Sequence, residues 1–304
     1  MKQELKLCED CLTNVSLKNY NTFRIGGVAK YLVAPKDEAE LLSLLQYLLK
    51  ERIPYFILGN GSNVIFSDSI YEGVIIRLNH FQEIVKKCDR IFVGSGVMMP
   101  RFAMAMIEES YCGFEWAVGI PGTVGGCVYG NAEAYKESTF DHLISVKVIT
   151  PNLEIKELKK EELSFGYRTS FFKTHPGYVI LGATFEVIKG YKNESLEIIE
   201  KRMKKRKSTQ PLEFPSAGSV FRNPSAENPS GMIIENCGLK GTIVGGAKVS
   251  EKHANFIINT GNATSKDVRN LIELVHEEVK RQCNIDLVLE QEYVGWDSYE
   301  TEGK

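Results

Sequence analysis

Ser219 stands in the stretch Pro215-Ser216-Ala217-Gly218-Ser219-Val220-Phe221-Arg222-Asn223-Pro224, where a hydroxyl follows a glycine and precedes a guanidinium and an amide between two prolines. Proline fixes φ at both ends and glycine lets another molecule approach closely, so these polar groups are expected on a backbone-restricted loop. A hydroxyl so placed can donate a proton or bind a ligand. The ordinary alternative is a surface turn, for which Ser, Gly, Asn and Pro are the usual residues. Two other stretches suggest a second chemistry. Gly59-Asn60-Gly61-Ser62-Asn63 follows an apolar run, and Gly119-Ile120-Pro121-Gly122-Thr123-Val124-Gly125-Gly126 holds four glycines in eight residues. Glycine-rich turns expose consecutive backbone N–H groups that can cradle a diphosphate. Neither stretch is followed by GK[ST] and neither matches GxGxxG, so together they point to a nucleotide or dinucleotide held by loops without a Rossmann site.

Arg168, in Phe165-Gly166-Tyr167-Arg168-Thr169-Ser170, is a guanidinium among small and aromatic residues that could clamp a carboxylate through two hydrogen bonds, or pair with a surface acid. Glu290 and Glu292 are two residues apart, a spacing that puts both on one side of a strand, as a carboxylate pair or as a solvated strand end. The histidines at 80, 142, 175, 253 and 276 form no HxxxH pattern, and no GxSxG elbow surrounds Ser219, so a Ser/His/Asp hydrolase finds no support. Cys8 and Cys11 make a CxxC, but no second pair or histidine cluster stands at zinc spacing, and no metal is expected.

These residues need elements to position them. A strand over Tyr31–Ala34, an amphipathic helix over Asp37–Lys50 and a strand over Tyr55–Leu58 form a β-α-β opening that ends in the first glycine loop. Leu41, Leu42, Leu44, Leu45, Leu48 and Leu49 supply the helix's apolar face. A helix over Pro100–Glu109 precedes the second glycine loop, and strands dominate from Leu143 to Ile188. A basic helix over Leu196–Lys207 leads to the Ser219 stretch. Toward the end come a short helix at Met232–Cys237, a helix opened by Thr264 and Asp267 at capping-box spacing, and a strand over Ile285–Leu289 that carries the glutamate pair. Helices and strands mix irregularly, which indicates an α+β fold. The boundary between an N-terminal domain, residues 1–205 with a subdomain split near 78, and a C-terminal domain, 206–304, is placed near residue 206.

The chain of 304 residues, 43% hydrophobic and 25% charged, has globular composition. Its net charge of -2 gives no reason to expect a nucleic acid or an anionic membrane as partner. The N-terminus has no apolar signal region and no stretch nears the ~18 apolar residues that span a bilayer, so a cytoplasmic protein is expected. Seven scattered cysteines do not form a disulfide framework and read as buried small residues.

Taken in order, these stretches resemble one family. They are Asn21-Thr22-Phe23-Arg24-Ile25-Gly26-Gly27; Leu58-Gly59-Asn60-Gly61-Ser62-Asn63-Val64; the loop from Gly119 to Gly126 followed by Asn131-Ala132; Tyr167-Arg168-Thr169-Ser170; Gln210-Pro211 with Ala217 through Pro224; and Gly238-Leu239-Lys240-Gly241 with Gly245-Gly246-Ala247. The chain is similar to the UDP-N-acetylenolpyruvoylglucosamine reductase (MurB) family over nearly its whole length. The short interval between Arg168 and Ser219 suggests the class lacking a substrate-capping tyrosine loop.

The resemblance implies non-covalent FAD held by a two-subdomain α+β unit of the vanillyl-alcohol-oxidase (PCMH) type, with a C-terminal α+β substrate-binding domain. It implies NADPH as reductant, UDP-N-acetylglucosamine enolpyruvate as the small-molecule partner, and cofactor contacts from Asn21, Thr22, Gly59, Asn60, Gly61, Ser62, Asn63, Gly119, Ile120, Pro121, Gly122, Gly125 and Gly126. Hydride addition at the vinyl C3 carbon would put carbanion character on C2, so the site needs positive charge and a proton source there. Arg168 would supply the charge, Ser219 the proton and Glu292 a carboxyl that assists. Arg206, Gln210 and Asn223 match positions that contact the substrate. The chain departs from the family where Gln291 and Tyr293 replace Pro and Val and Val294 replaces Arg, which leaves Glu290 as the alternative to Glu292. A monomer is favoured. Two other readings stay open: a flavin oxidoreductase of the same fold that uses oxygen and an alcohol or sugar donor, and a nucleotide-sugar-binding protein without catalysis.

Overall fold

The computed structural model describes residues 8–296. The fold is α+β. Most strand pairs are antiparallel, and two parallel pairs are Tyr55–Leu58 with Val74–Arg77 and Glu292–Val294 with Val64–Phe66. Two compact units divide the described residues: 8–13, 31–60 and 73–204 form the first, and 14–30, 61–72 and 205–296 the second. No helix among the described residues is long and apolar enough to cross a membrane.

In the first unit, helix α1 (Glu38–Lys50) starts at Asp37, whose side chain accepts from the Glu40 N–H at 2.8 Å. Leu41, Leu44, Leu45 and Leu48 follow at helical spacing and are buried against Val33, Val74 and Ile76. Leu49, assigned to that face from sequence, is 47% exposed, because 100° per residue carries it off the stripe. A five-stranded antiparallel sheet runs in the order Ile155–Lys159, Leu143–Ile149, Val179–Glu186, Arg90–Gly94, Ile84–Lys87. Helix α2 (Met99–Glu108) buries Met99, Phe102, Ala103 and Met106 in the core that this sheet shares with Trp116 and Phe185. Helix α3 (Val124–Gly130) begins inside the second glycine loop and buries Val124, Cys127 and Val128 in the same core. The short α4 (Phe171–Thr174) follows the Arg168 segment, and the long α5 (Lys192–Thr209) carries the basic run.

The second unit contains α6 (Ser230–Asn236) and α7 (Ser265–Cys283). The capping box at α7 is reciprocal: the Asp267 N–H donates to Thr264 Oγ1 at 3.0 Å and the Thr264 N–H to Asp267 Oδ2 at 2.9 Å. Val268, Leu271, Ile272, Val275 and Val279 then pack on Phe23, Ile65 and the residues around Val220. The strand expected over Ile285–Leu289 lies further on, over Glu292–Val294. Val288 is 57% exposed and only Leu289 bridges, to Phe221, whereas Glu292–Val294 finds a partner strand in Val64–Phe66.

Candidate functional site

In the second unit the Ser219 stretch is threaded between two other segments. On one side Ser219 bridges Phe256, the Val220 N–H donates to the Asn255 carbonyl at 2.9 Å, and the Asn259 N–H donates to the Pro215 carbonyl at 2.9 Å. The buried Asn255 side chain adds a rung: Oδ1 accepts from the Phe221 N–H at 2.9 Å and Nδ2 donates to the Phe221 carbonyl at 2.8 Å. On the other side Phe221 bridges Leu289, the Glu290 N–H donates to the Val220 carbonyl at 2.8 Å, and the Arg222 N–H to the Val288 carbonyl at 2.8 Å. Gln291, 4% exposed, donates through Nε2 to the Ala217 carbonyl at 3.0 Å and lies 3.4 Å from those of Gly218 and Ser219. Ser219 itself is half-buried, and Gly218, at φ +75°, has open space where a Cβ would stand. A hydroxyl on this segment is fixed by its backbone and reachable from outside.

The first glycine loop continues in this unit. The Thr22 hydroxyl donates to the Ser216 carbonyl at 2.7 Å and the Thr22 N–H to the Gly61 carbonyl at 3.1 Å. A Cβ on Gly61, at φ +66°, would fall 2.3 Å from the Tyr20 carbonyl oxygen, so only glycine fits that close approach. The Gly61 and Asn63 carbonyls accept from Thr22 and Glu292, whereas among the described residues the N–H groups of Gly61, Ser62 and Asn63 donate to no other protein atom. Inward carbonyls and unclaimed N–H groups are what an anion cradle requires. Asn63 Nδ2 donates to the Glu290 carbonyl at 3.2 Å, and the Glu292 N–H to the Asn63 carbonyl at 3.0 Å, so the glutamate pair is set directly on this loop. Asn21 is buried, and its Nδ2 donates to the Leu17 and Ile25 carbonyls at 2.7 and 2.8 Å; its side chain holds the shape of its own turn. Asn223 is exposed and accepts from the Ser230 N–H at 3.0 Å. Arg206 is half-buried in the last turn of α5, and Gln210, half-buried just beyond, keeps a buried Oε1 with no hydrogen-bond partner.

In the first unit Asn60 Nδ2 donates to the Pro121 carbonyl at 2.7 Å, which ties Gly59-Asn60 to the second glycine loop. A Cβ on Gly125 would lie 2.8 Å from Ser95 Cβ, so the backbone here lies directly on the strand end. The N–H groups of Val124 and Gly125 donate to the Val97 and Ser95 carbonyls, and that of Gly126 to Thr123 Oγ1. Gly125 and Gly126 therefore shape the loop without offering donors. Those of Gly122 and Thr123 donate to no other protein atom among the described residues, while Gly119 and Ile120 sit half-buried in the preceding turn.

Arg168 occupies the turn of a tight hairpin in which Phe165 pairs with Ser170 and Gly166 with Thr169. Its φ is +56°, a left-handed conformation that costs a non-glycine residue about 1 kcal/mol and is met most often where side-chain direction matters. Asn131, the C-cap of α3, donates to the Gly166 carbonyl at 3.0 Å, and the Ser170 hydroxyl to the Tyr129 carbonyl at 2.5 Å. Through α3 the second glycine loop and the Arg168 hairpin form one framework. Between them Cys127 is fully buried, and that burial pushes its thiol up to about 12 against the opposing pull of the Arg168 charge.

Sequence reasoning did not single out Asn255, Ser170 or Asn131 as holders of these loops, and noted Gln291 only as a departure from pattern. Asn131 and Ser170 carried a local signal, in their places after the second glycine loop and in the Arg168 stretch. Among the described residues no group of three His, Cys, Asp or Glu side chains could hold a metal ion.

Residues 29–159 match the model of an FAD binding domain, and the loops found there fit that group: among the described residues the N–H groups of Gly122 and Thr123 donate to no other protein atom. The chain is thus an FAD-binding oxidoreductase by class. Residues 210–294 match the UDP-N-acetylenolpyruvoylglucosamine reductase C-terminal domain. The chain is 40% identical over 97% of its length to the UDP-N-acetylenolpyruvoylglucosamine reductase of Clostridium kluyveri, covering 96% of that protein, and 39% identical over 95% to the Clostridium perfringens reductase, covering 94%. The crystal structure of UDP-N-acetylenolpyruvylglucosamine reductase (MurB) from Thermus caldophilus superposes with a TM-score of 0.79 at 32% identity, over 93% of this chain and 98% of that one. The chain belongs to the UDP-N-acetylenolpyruvoylglucosamine reductase family.

Proposed function

We propose that this chain reduces the enolpyruvyl ether of UDP-N-acetylglucosamine enolpyruvate to UDP-N-acetylmuramate in peptidoglycan precursor synthesis, and that Ser219 delivers the proton. The N–H groups of Gly122 and Thr123 would hold the diphosphate of FAD. FAD, when bound, supplies hydride for the vinyl C3 carbon and is re-reduced by NADPH. The substrate then carries negative charge at C2, delocalised into its carboxylate. Arg168 stabilises that charge with a fixed guanidinium, an interaction that strengthens as the charge develops. Ser219 donates its hydroxyl proton to C2. A serine is a weak acid, so it acts only where its alkoxide is stabilised or promptly reprotonated. Glu292, with Glu290 as the alternative, assists in a protonated or hydrogen-bonded form, since a bare carboxylate would repel the enolate. Arg206, Gln210 and Asn223 bind the nucleotide-sugar diphosphate. A cytoplasmic monomer of the class without a tyrosine loop accompanies this proposal, with residues 1–205 as the cofactor domain and 206–304 as the substrate domain.

The observation that carries it is the frame around Ser219: backbone bridges on both sides and Gln291 beneath, with open space at Gly218. The test is an anaerobic titration of the purified, flavin-coloured protein with NADPH, followed by the enolpyruvyl substrate. Ser219→Ala is expected to keep reduction by NADPH and to slow reoxidation by the substrate ~10²–10⁴-fold, the range of a lost general acid. Equal slowing of both half-reactions would remove Ser219 from the role of acid.

A further inference from the structure

Cys237 is the residue that ends α6, and Cys283 is the last residue of α7. They are 46 residues apart in sequence, yet their Sγ atoms lie 3.4 Å apart, and both thiols are free. Gln282, beside Cys283, donates from Nε2 to the Cys237 carbonyl at 3.3 Å, which keeps the two helix ends together. Cys237 is buried and Cys283 is exposed. A disulfide needs its sulfurs about 2.05 Å apart, so they must close by only about 1.4 Å, within reach of side-chain rotation.

We propose that Cys237 and Cys283 are a dithiol modification site that a hydroperoxide closes to a disulfide. The exposed Cys283 thiolate attacks the peroxide O–O bond, takes one oxygen as a sulfenic acid and releases water or an alcohol. Cys237 sulfur then attacks Cys283 sulfur, the S–S bond forms and the sulfenic oxygen leaves as a second molecule of water. Two thiols lose two hydrogens and two electrons in total, and one peroxide is reduced. The order of events follows from the surroundings: burial, with Cys283 adjacent, pushes the Cys237 thiol up to about 11, so it resolves and does not initiate. The other end of α6 is already tied, since the Ser230 N–H donates to Asn223 and the Ser230 hydroxyl to the Arg222 carbonyl at 2.5 Å. The disulfide would fasten this helix at both ends.

The test treats the reduced full-length protein with one equivalent of hydrogen peroxide, then blocks remaining thiols and maps peptides by mass spectrometry. The expected product has lost two hydrogens, joins the peptides carrying Cys237 and Cys283, reverts with dithiothreitol, and melts several degrees higher than the reduced form. In Cys283→Ser the linkage is absent. In Cys237→Ala, Cys283 gains oxygen in place of losing hydrogen. A wild-type protein in which Cys283 only accumulates oxygen, stays reduced, or pairs with another cysteine overturns the proposal, and this holds even if the Cys237 variant fails to fold.

Discussion

Asn255 offers a sharp test of how the Ser219 segment is held. Its side chain is 3% exposed and makes two hydrogen bonds to the backbone of Phe221, a residue itself 2% exposed. Asn255→Ala leaves one N–H and one carbonyl unpaired where water has little access, at about 1–3 kcal/mol for each group. A loss of about 3 kcal/mol in unfolding free energy is expected, with slower reoxidation by the enolpyruvyl substrate and unchanged reduction by NADPH. Asn255→Asp is the finer probe. It keeps the acceptor for the Phe221 N–H but, when ionised, sets a carboxylate oxygen against the Phe221 carbonyl. Protonation restores the missing donor, so the folded state favours the neutral carboxyl and raises its pKa above the unfolded value. Stability then is greatest at low pH and falls as pH rises through the folded-state pKa. Urea denaturation followed by circular dichroism, for both variants between pH 4 and 8, together with stopped-flow half-reactions, gives the measurement. An alanine variant within about 0.5 kcal/mol of wild type, or an aspartate variant whose stability relative to wild type ignores pH, would refute the claim that these two bonds fix the segment.

Arg168→Ala should lose about 3 kcal/mol in the substrate half-reaction, near the value of an oxyanion donor; a change in substrate affinity alone, seen in single-turnover traces, would make Arg168 a binding clamp. Burial raises the Tyr293 hydroxyl to about 12, with Glu273 adding to the effect. An acid raised above its unfolded pKa of about 10 contributes stability present below pH 10 and lost as pH rises to 12, about 2–3 kcal/mol in all. Tyr293→Phe should flatten that alkaline decline in thermal melts, and an unchanged slope would assign it elsewhere. Cys127, at about 12 and fully buried, should resist iodoacetamide at pH 8 in the native protein and react once urea unfolds it; labelling of the native protein would show the hairpin framework to be open.

What could be read from the sequence is what local signals specify. The Asp37 cap with the leucine stripe of α1, and the Thr264–Asp267 box of α7, act within one or two helical turns, so residue order reveals them. The glycine loops were likewise legible as loops, but which of their N–H groups remain available was not. Gly125 and Gly126 look like donors in sequence, and only the structure shows the Ser95 carbonyl and the Thr123 hydroxyl that claim them. The final strand was misplaced because alternation in Ile285–Leu289 imitates a strand, while Glu292–Val294 owes its conformation to a parallel partner far away in sequence. Asn255 and Gln291 were silent for the same reason, since their partners lie 34 and 74 residues distant.

The parallel pairing of Val64–Phe66 with Glu292–Val294 also sets a timetable. Asn63 and Glu290, which join that pair, are separated by 227 residues. At roughly 5–20 residues per second, a ribosome would need roughly 10–45 s between making one partner and the other. Through that interval a Val-Ile-Phe strand waits with an open edge, the kind that pairs with whatever chain comes near. Completion of the second unit is therefore a late event in biosynthesis, and the nascent protein is most vulnerable to aggregation, and most in need of a chaperone, while the residues beyond 290 are still inside the ribosome.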